Sequence, residues 1–594
     1  MERPVIINDP KYRYDNFTDG KTFPGKKTGR LPMMGWNSWN AFGSGNSEAL
    51  TKAMADCIKE LGLDDLGYKY LVLDDGCYKN ERVNGLLANE EVKFPSGFRA
   101  LADYIHSKGL KFGMYNDIGS NLCAGAAVGT CGHEKEDAKS YTEWDVDFIK
   151  VDNCYYLWDN ATFSNAENAR YTYAPGIASV RIEGNGIRRE FSAVTDGKIT
   201  GNGPEIREGA YVANIGTFDG TGPDVSPVGM LSGELTFDTS DLPEGDYSVY
   251  VTYTTGRESG LGEWLQIAAG SGDNAAYFYD DFLPESPNGE FTASDAIAVS
   301  LNNDTDVIRF MNHRRQENTL CSYAALLQGF LEADPDTGIV MSLCEWGKTQ
   351  PHNWGYKVGD SWRILNDITF QVGSDGNPGR GSWASDYTPG VAVQYDKAVI
   401  MDEFAGLSKG WNDPDMLMIG MDGLDMDMCR THFSMWCMMN SPLMLGLDLR
   451  RVKKGDELYN IIANKELIAL NQDALGIQAK RVYTSAGSGH PDTEYIRDND
   501  RIDILAKPLS DGSLALAFFN LSEHEWNEDI TIDMDRVLEY IGSKLTNRDA
   551  FCAAGKFTVK DLWNRSENVS DGKTIHAGSL AAHADAVFKI TPAV

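Results

Sequence analysis

Asp152 ends the stretch Asp147-Phe148-Ile149-Lys150-Val151-Asp152, where an apolar strand pattern stops at a carboxylate. Residues two apart on a strand share a face, so Lys150 and Asp152 are expected to point the same way. An ammonium beside a carboxylate lowers the acid's pKa and keeps it ionised. That is the condition for a carboxylate nucleophile that attacks an anomeric carbon. A structural ion pair would leave the same trace, so the pair gains meaning only from its neighbours. Other strand-like segments end in the same manner, with Trp36 and Asn37, Asp74 and Asp75, Tyr115 and Asp117, and Glu345 and Trp346. A sixth carries Arg363 and Asp367, four apart and on one face if the strand is regular. Carboxylates accept hydrogen bonds from hydroxyls and aromatic rings cover the apolar faces of a pyranose, so this set suits a sugar site.

Helical patterns separate these segments. Between Ser47 and Leu61, apolar Leu50, Met54, Ile58 and Leu61 recur at helical spacing, with Ser47 as N-cap and Gly62 as stop. Strands are expected over 32–39, 68–75, 111–117 and 148–154, and again over 338–346, 361–368, 411–419 and 443–448. Helices are expected over 320–331, 391–404, 428–439 and 458–470. Repeated strand–helix units predict a parallel sheet with right-handed crossovers. Eight of them predict an α/β fold, a (β/α)8 TIM barrel, which gathers strand-end residues at one mouth.

The alternation breaks between the fourth and fifth strands. There Tyr247, Val249, Val251 and Tyr253 alternate after the turn Pro243-Glu244-Gly245-Asp246, and Ile297 to Leu301 is expected to pair with Val307 to Phe310. An all-β sandwich inserted after strand 4 is therefore expected. Beyond residue 480, Ile502 to Leu509 and Leu514 to Asn520 flank the turn Ser510-Asp511-Gly512-Ser513 as a hairpin of a C-terminal antiparallel β-sandwich. The resulting division is a discontinuous barrel, 1–160 and 318–480, an insert, 165–317, and a C-terminal sandwich, 481–594.

Composition narrows the function classes. With 42% apolar and 24% charged residues, the 594-residue chain reads as a soluble globular protein of several domains. A formal charge of −33 repels nucleic-acid phosphates and anionic lipid surfaces but leaves a neutral sugar unaffected. No apolar run is long enough for a membrane helix. Ten cysteines without a CxxC pair and nine histidines without ligand spacing speak against a zinc site, including one around Asn412-Asp413-Pro414-Asp415. Met1-Glu2-Arg3-Pro4 carries no apolar leader, so the protein is expected either inside the cell or with its signal trimmed.

The strings Leu31-Pro32-Met33-Met34-Gly35-Trp36-Asn37-Ser38-Trp39-Asn40, Leu73-Asp74-Asp75, Gly113-Met114-Tyr115, Cys123-Ala124-Gly125 and Lys150-Val151-Asp152-Asn153-Cys154 resemble glycoside hydrolase family 27. This is the family of α-galactosidases and α-N-acetylgalactosaminidases. Ser342-Leu343-Cys344-Glu345-Trp346-Gly347, Ser361-Trp362-Arg363, Trp411-Asn412-Asp413-Pro414-Asp415-Met416-Leu417, His432-Phe433-Ser434 and Ser441-Pro442-Leu443 extend the resemblance over about 30–160 and 318–520.

The resemblance implies a retaining exo-glycosidase that removes terminal α-D-galactosyl residues from oligo- or polysaccharides, without a cofactor. Asp152 matches the family's nucleophile and Asp367 its acid/base. The former must stay charged and the latter must hold a proton until the leaving oxygen takes it, with the two carboxyls ~5–5.5 Å apart. Asp74 and Asp75 match the acids that hold the 4- and 6-hydroxyls, Trp36 the platform under the ring, and Tyr115 an orienting hydroxyl. Arg363 matches a contact to the 2-hydroxyl that also steers Asp367. Glu345 favours a 2-hydroxyl over an acetamido group. Cys123 and Cys154 resemble a disulfide flanking the site, which implies an oxidising, secreted or periplasmic setting.

The family usually reads Asp-Asp-Cys-Trp after strand 2, where this chain has Asp74-Asp75-Gly76-Cys77-Tyr78. That departure puts the wall near O6 in doubt and leaves α-N-acetylgalactosaminidase, β-L-arabinopyranosidase and isomaltodextranase-like activities as alternatives. A catalytically silent sugar-binding protein is the alternative of another class. In strand pattern and length the insert resembles sugar-binding modules of the family 6 and 35 jelly-roll type. This implies either polysaccharide binding, with a structural calcium, or a part in shaping the site entrance.

Overall fold

The computed structural model describes residues 21–154, 174–201, 204–215, 233–256, 260–270, 276–302, 305–312, 315–369, 371–374, 377–384, 388–487 and 489–593. The N-terminal tetrapeptide read above lies outside these residues.

Eight parallel strands build the barrel: β1 (Met34–Asn37), β2 (Tyr70–Val72), β3 (Lys111–Asp117), β4 (Phe148–Asp152), β5 (Val340–Cys344), β6 (Ser361–Arg363), β7 (Trp411–Asp413) and β8 (Leu443–Leu445). Their order is β7-β6-β5-β4-β3-β2-β1-β8. Leu417, just beyond β7, closes the ring by bridging Leu445 in parallel, its amide donating to the Met444 carbonyl at 2.8 Å. Buried on both faces, the strands are largely apolar, and their acids lie towards the C-terminal ends.

Most strands are shorter than the apolar patterns suggested. The difference that bears on the site is β6, which stops at Arg363, so that Asp367 lies on the loop beyond it and not on the strand. The helix α1 (Glu48–Leu61) starts and stops where its chemistry demands. Ser47 Oγ accepts the Leu50 amide at 3.2 Å, and Gly62 takes a left-handed φ of 71° that returns its N–H to the Ile58 and Lys59 carbonyls. The apolar stretch 458–470 forms two helices, Glu457–Ile462 and Lys465–Asn471, because Asn464 caps the second through its side chain.

Between β4 and the long helix Arg315–Ala333 lie two antiparallel sheets. One orders Ala276–Leu283, Glu263–Ala269, Val307–Met311, Gly233–Asp238 and Lys198–Gly201; the other is built on Gly245–Thr254 and Gly176–Gly184. Tyr247, Val249, Val251 and Tyr253 all turn into the shared core, as their alternation predicts. The expected hairpin between Ile297–Leu301 and Val307–Met311 does not form. The first pairs with Gly245–Thr254 and the second with Gly233–Asp238 and Glu263–Ala269, so the turn between them carries the chain from one sheet to the other. Both strands bury alternate residues, and a two-sheet core accepts that pattern on either side, so alternation alone does not choose the partner.

The C-terminal hairpin forms with Ile502 opposite Asn520 and Pro508 opposite Leu514, inside a six-stranded antiparallel sheet. This region is tied to the barrel by buried polar groups. Arg501 and Arg481 meet Asp503, Arg501 also meets Asp396, and the Tyr395 hydroxyl donates to Asp503 Oδ2 at 3.0 Å.

Candidate active site

At the C-terminal ends of the strands, register brings two acids and a thiol side by side: Asp152 on β4 is opposite Asp117 on β3 and Cys344 on β5. Asp152 is almost fully buried. Its Oδ2 accepts the Tyr115 hydroxyl at 2.9 Å and its Oδ1 the Asn153 amide at 2.8 Å. Lys150 lies along the same strand but places Nζ 2.7 Å from Asp74 Oδ2, with its charge 5.6 Å over the Tyr115 ring. The expected direct pair with Asp152 is thus replaced by a cross-strand pair with Asp74. Burial raises the Asp152 pKa and the Asp367 charge adds to it, outweighing the ammonium of Lys150 and the Asn153 amide. The expected lowering is overturned by desolvation.

The turn after β2 aims Asp74 and Asp75. Ser38 Oγ accepts the Asp74 amide at 3.0 Å, and Asn46 Nδ2 donates to both the Asp74 and Asp75 carbonyls. Asp74 accepts from Asn37 Nδ2 (2.9 Å) and Lys150 on Oδ2 and from the Asp75 amide on Oδ1. Asp75 uses Oδ2 to accept the Ala124 amide at 2.7 Å, while its buried Oδ1 has no hydrogen-bond partner among the described residues. Burial, with Asp74 and Asp152 nearby, pushes its pKa up to about 6 against the pull of the Ala124 amide. Gly76, where the family has cysteine, takes φ 98°, and a Cβ there would lie 2.8 Å from the Ser44 backbone. The site is too tight for any side chain. Tyr78, at the position after Cys77, is buried and donates its hydroxyl to the Tyr115 carbonyl at 2.8 Å.

Arg363, at the end of β6, is buried and joins two acids. Its Nη2 lies 2.7 Å from Asp415 Oδ2 and 3.1 Å from Asp367 Oδ1, while Nη1 reaches Cys344 Sγ at 3.6 Å. Burial opposes its charge, but Asp415 and Asp367 together raise its pKa. The Asp367 side chain stays 36% exposed.

Two expected roles meet a different geometry. Trp36 is completely buried, its Nε1 donating to the Leu447 carbonyl at 2.8 Å, so no ring face stands open as a platform. Glu345 is also buried, and its Oε1 accepts both the Thr349 amide (2.8 Å) and hydroxyl (2.7 Å). It fastens its own loop. Cys123 and Cys154 come together, with their sulfurs and an Asp152 carboxylate oxygen all within 4.8 Å of one another, but they are recorded as thiols and not as a disulfide. Among the described residues this is the His/Cys/Asp/Glu group close enough to share an ion, and it lies in the barrel, not in the insert where calcium was expected.

Three groups at the site carried no assigned role in the sequence reading, although Asp117 stood there among the strand-end acids. Asp117 accepts the Gly119 and Cys154 amides, which shapes the turn after β4. Asp415 anchors Arg363; its place in Asp413-Pro414-Asp415 at a strand end was the available signal. Lys348 donates to the Asn153 carbonyl at 2.7 Å and lies 4.4 Å over the Trp346 ring, and nothing local in Gly347-Lys348-Thr349 announces that reach.

A family model described as alpha galactosidase A matches residues 31–172 and 380–473, and one described as the alpha galactosidase C-terminal beta sandwich domain matches 499–590. Together they hold β1–β4, β7, β8, both Asp74 and Asp75, and Asp152. The chain belongs to glycoside hydrolase family 27. This family 27 glycoside hydrolase is 27% identical over 565 residues to alpha-galactosidase A of Cellvibrio japonicus, covering 95% of this chain and 92% of that protein. It is 25% identical over 572 residues to an alpha-galactosidase of Oryza sativa subsp. japonica, covering 95% and 85%. It also shares its fold with the alpha-galactosidase of Saccharomyces cerevisiae, at TM-score 0.58 and 21% identity over 95% of this chain and 98% of that one. None of the described helices of the family 27 enzyme is long and apolar enough to cross a membrane.

Proposed function

We propose that this family 27 hydrolase is a retaining exo-α-galactosidase acting on galactose-bearing oligo- or polysaccharides. The observation that carries the reading is the contrast between two carboxyls that feel each other's charge. Asp152 is sealed in the barrel with Tyr115 and Asn153 on its oxygens, while Asp367 stands at the rim, where a leaving group departs and water arrives. Asp152 attacks C1 of the galactosyl group, and Asp367 gives its proton to the departing glycosidic oxygen. Asp367 then takes a proton from water as the water oxygen bonds to C1, which breaks the Asp152–C1 ester and releases galactose with its α configuration retained. Arg363, anchored on Asp415, positions Asp367 for both steps.

The orphaned Asp75 Oδ1 supports the sugar end of the reading, since a buried acceptor without a donor suits a substrate hydroxyl. Proton NMR of 4-nitrophenyl α-D-galactopyranoside during turnover tests the proposal: α-galactose is expected first, mutarotating later. Initial release of the β anomer, or turnover of the α-N-acetylgalactosaminide or β-L-arabinopyranoside in preference, would overturn it.

A further inference from the structure

The insert contains a cleft of about 360 Å³, remote in sequence from the acids of the barrel mouth. Its volume lies in the range of ordinary ligand pockets, about 300–1,000 Å³. One wall is the hairpin Glu205–Arg207 and Tyr211–Ala213 with Asn214; the other comes from Thr254, Thr255 and the segment carrying Phe291. Tyr211 and Phe291 meet edge to face across it, ring centroids 5.5 Å apart. Phe291 is 45% exposed, and the two strongly exposed aromatic rings among the described residues, Phe291 and Tyr277, both belong to the insert.

The backbone around the cleft is shaped to hold these groups. The tight turn closed by the Ala210 amide on the Arg207 carbonyl (2.9 Å) takes positive φ at Glu208 (56°) as well as Gly209 (63°). Such a turn favours asparagine or glycine at both positions, so Glu208 stands there against its backbone preference, and it lines the cleft. Asn214 also has positive φ (56°), and its amide nitrogen is held 3.3 Å from Glu205 Oε1. Gly176 has no room for a Cβ, which would lie 2.6 Å from the Tyr211 ring; glycine lets that ring lie against the strand.

We propose that this cleft is a second carbohydrate site, binding a neutral pyranose unit of the same polymer whose galactosyl groups the barrel removes. Two aromatic surfaces, one carboxylate, one guanidinium and one fixed amide give apolar contact together with both donors and acceptors. The Arg207 guanidinium is already paired with Glu205 at 2.9 Å, and the acidic chain repels anionic polymers, so a neutral ligand fits the cleft. The identity of the polymer rests on the galactosidase reading; the existence of the site does not.

Affinity electrophoresis of the full chain through gels containing galactomannan tests the proposal. The intact protein and Asp74→Asn are expected to be retarded, whereas Phe291→Ala and Tyr211→Ala should each run at least several-fold less retarded. Both cleft variants should hydrolyse 4-nitrophenyl α-galactoside at the parent rate, which also shows that they are folded. Retardation unchanged by both substitutions, or absent from the parent protein, overturns the site. If the parent binds but hydrolyses no α-galactoside, the reading of the barrel fails while the cleft stands.

Discussion

Lys150 Nζ lies 2.7 Å from Asp74 Oδ2, so the ammonium that strand periodicity assigns to Asp152 is given to an acid beyond β2. Both partners are buried, with side chains 13% and 4% exposed. Lys150 still acts on Asp152 through space, favouring its charged form, while it holds Asp74 in place.

Removing that cation leaves Asp74 buried with an uncompensated charge. Lys150→Met is expected to lose roughly 3–5 kcal/mol of stability, the usual loss when one partner of a buried pair is removed. Denaturant unfolding measures it, and a loss below about 1 kcal/mol would show that Asn37 and the Asp75 amide suffice.

The pH profile of kcat/KM should carry the signature of a buried nucleophile. Only anionic Asp152 attacks, and burial raises its pKa, so activity should fall as pH drops through a midpoint above the ordinary aspartate value of about 3.9. Tyr115→Phe removes a hydrogen bond to the charged form. The acid limb should then move up by about one pH unit, with kcat/KM lowered by roughly 1.5–3 kcal/mol of activation free energy. An unchanged limb would show that Tyr115 does not stabilise the anion.

Asp75 links binding to stability. Its folded pKa is about 6, above the unfolded value, so the folded protein keeps a proton that the unfolded chain has lost between about pH 4 and 6. Stability from this group therefore falls as pH rises through that window, by roughly 3 kcal/mol in all. Asp75→Asn should abolish turnover yet raise Tm relative to the parent, and by more at pH 7.5 than at pH 4. Calorimetry at the two pH values decides it; an equal shift at both would place the effect elsewhere.

Asp367→Asn separates acid from base catalysis. A nitrophenolate departs without help, whereas a sugar alkoxide needs the proton. The variant should lose about 10²–10⁴-fold on raffinose and markedly less in the glycosylation step with 4-nitrophenyl α-galactoside. Equal losses on both substrates, read by burst kinetics, would remove Asp367 as the acid.

Much of the architecture was legible because its signals are local. Ser47 and Gly62 mark both ends of α1 by capping chemistry, and the apolar runs before Asp117 and Asp152 mark strands buried on both faces. The partner of Ile297–Leu301 was not legible, since a strand with one apolar face fits either sheet of a sandwich. The family resemblance implies that Glu345 meets a 2-hydroxyl; the Thr349 amide and hydroxyl, four residues on, take its carboxylate instead. Trp36 was read as a platform, yet its indole is sealed by contacts from Phe42 and the Leu447 carbonyl.

By itself the sequence determined that strands and helices alternate on both sides of an inserted β segment, and that acids stand at or just beyond most strand ends. Periodicity and capping are properties of neighbouring residues and can be read one segment at a time. Which charges meet was decided only by the tertiary structure. Lys150 chose Asp74, Arg363 joined Asp367 to Asp415, and Lys348 reached Asn153, because barrel closure and burial bring together side chains that no local pattern connects.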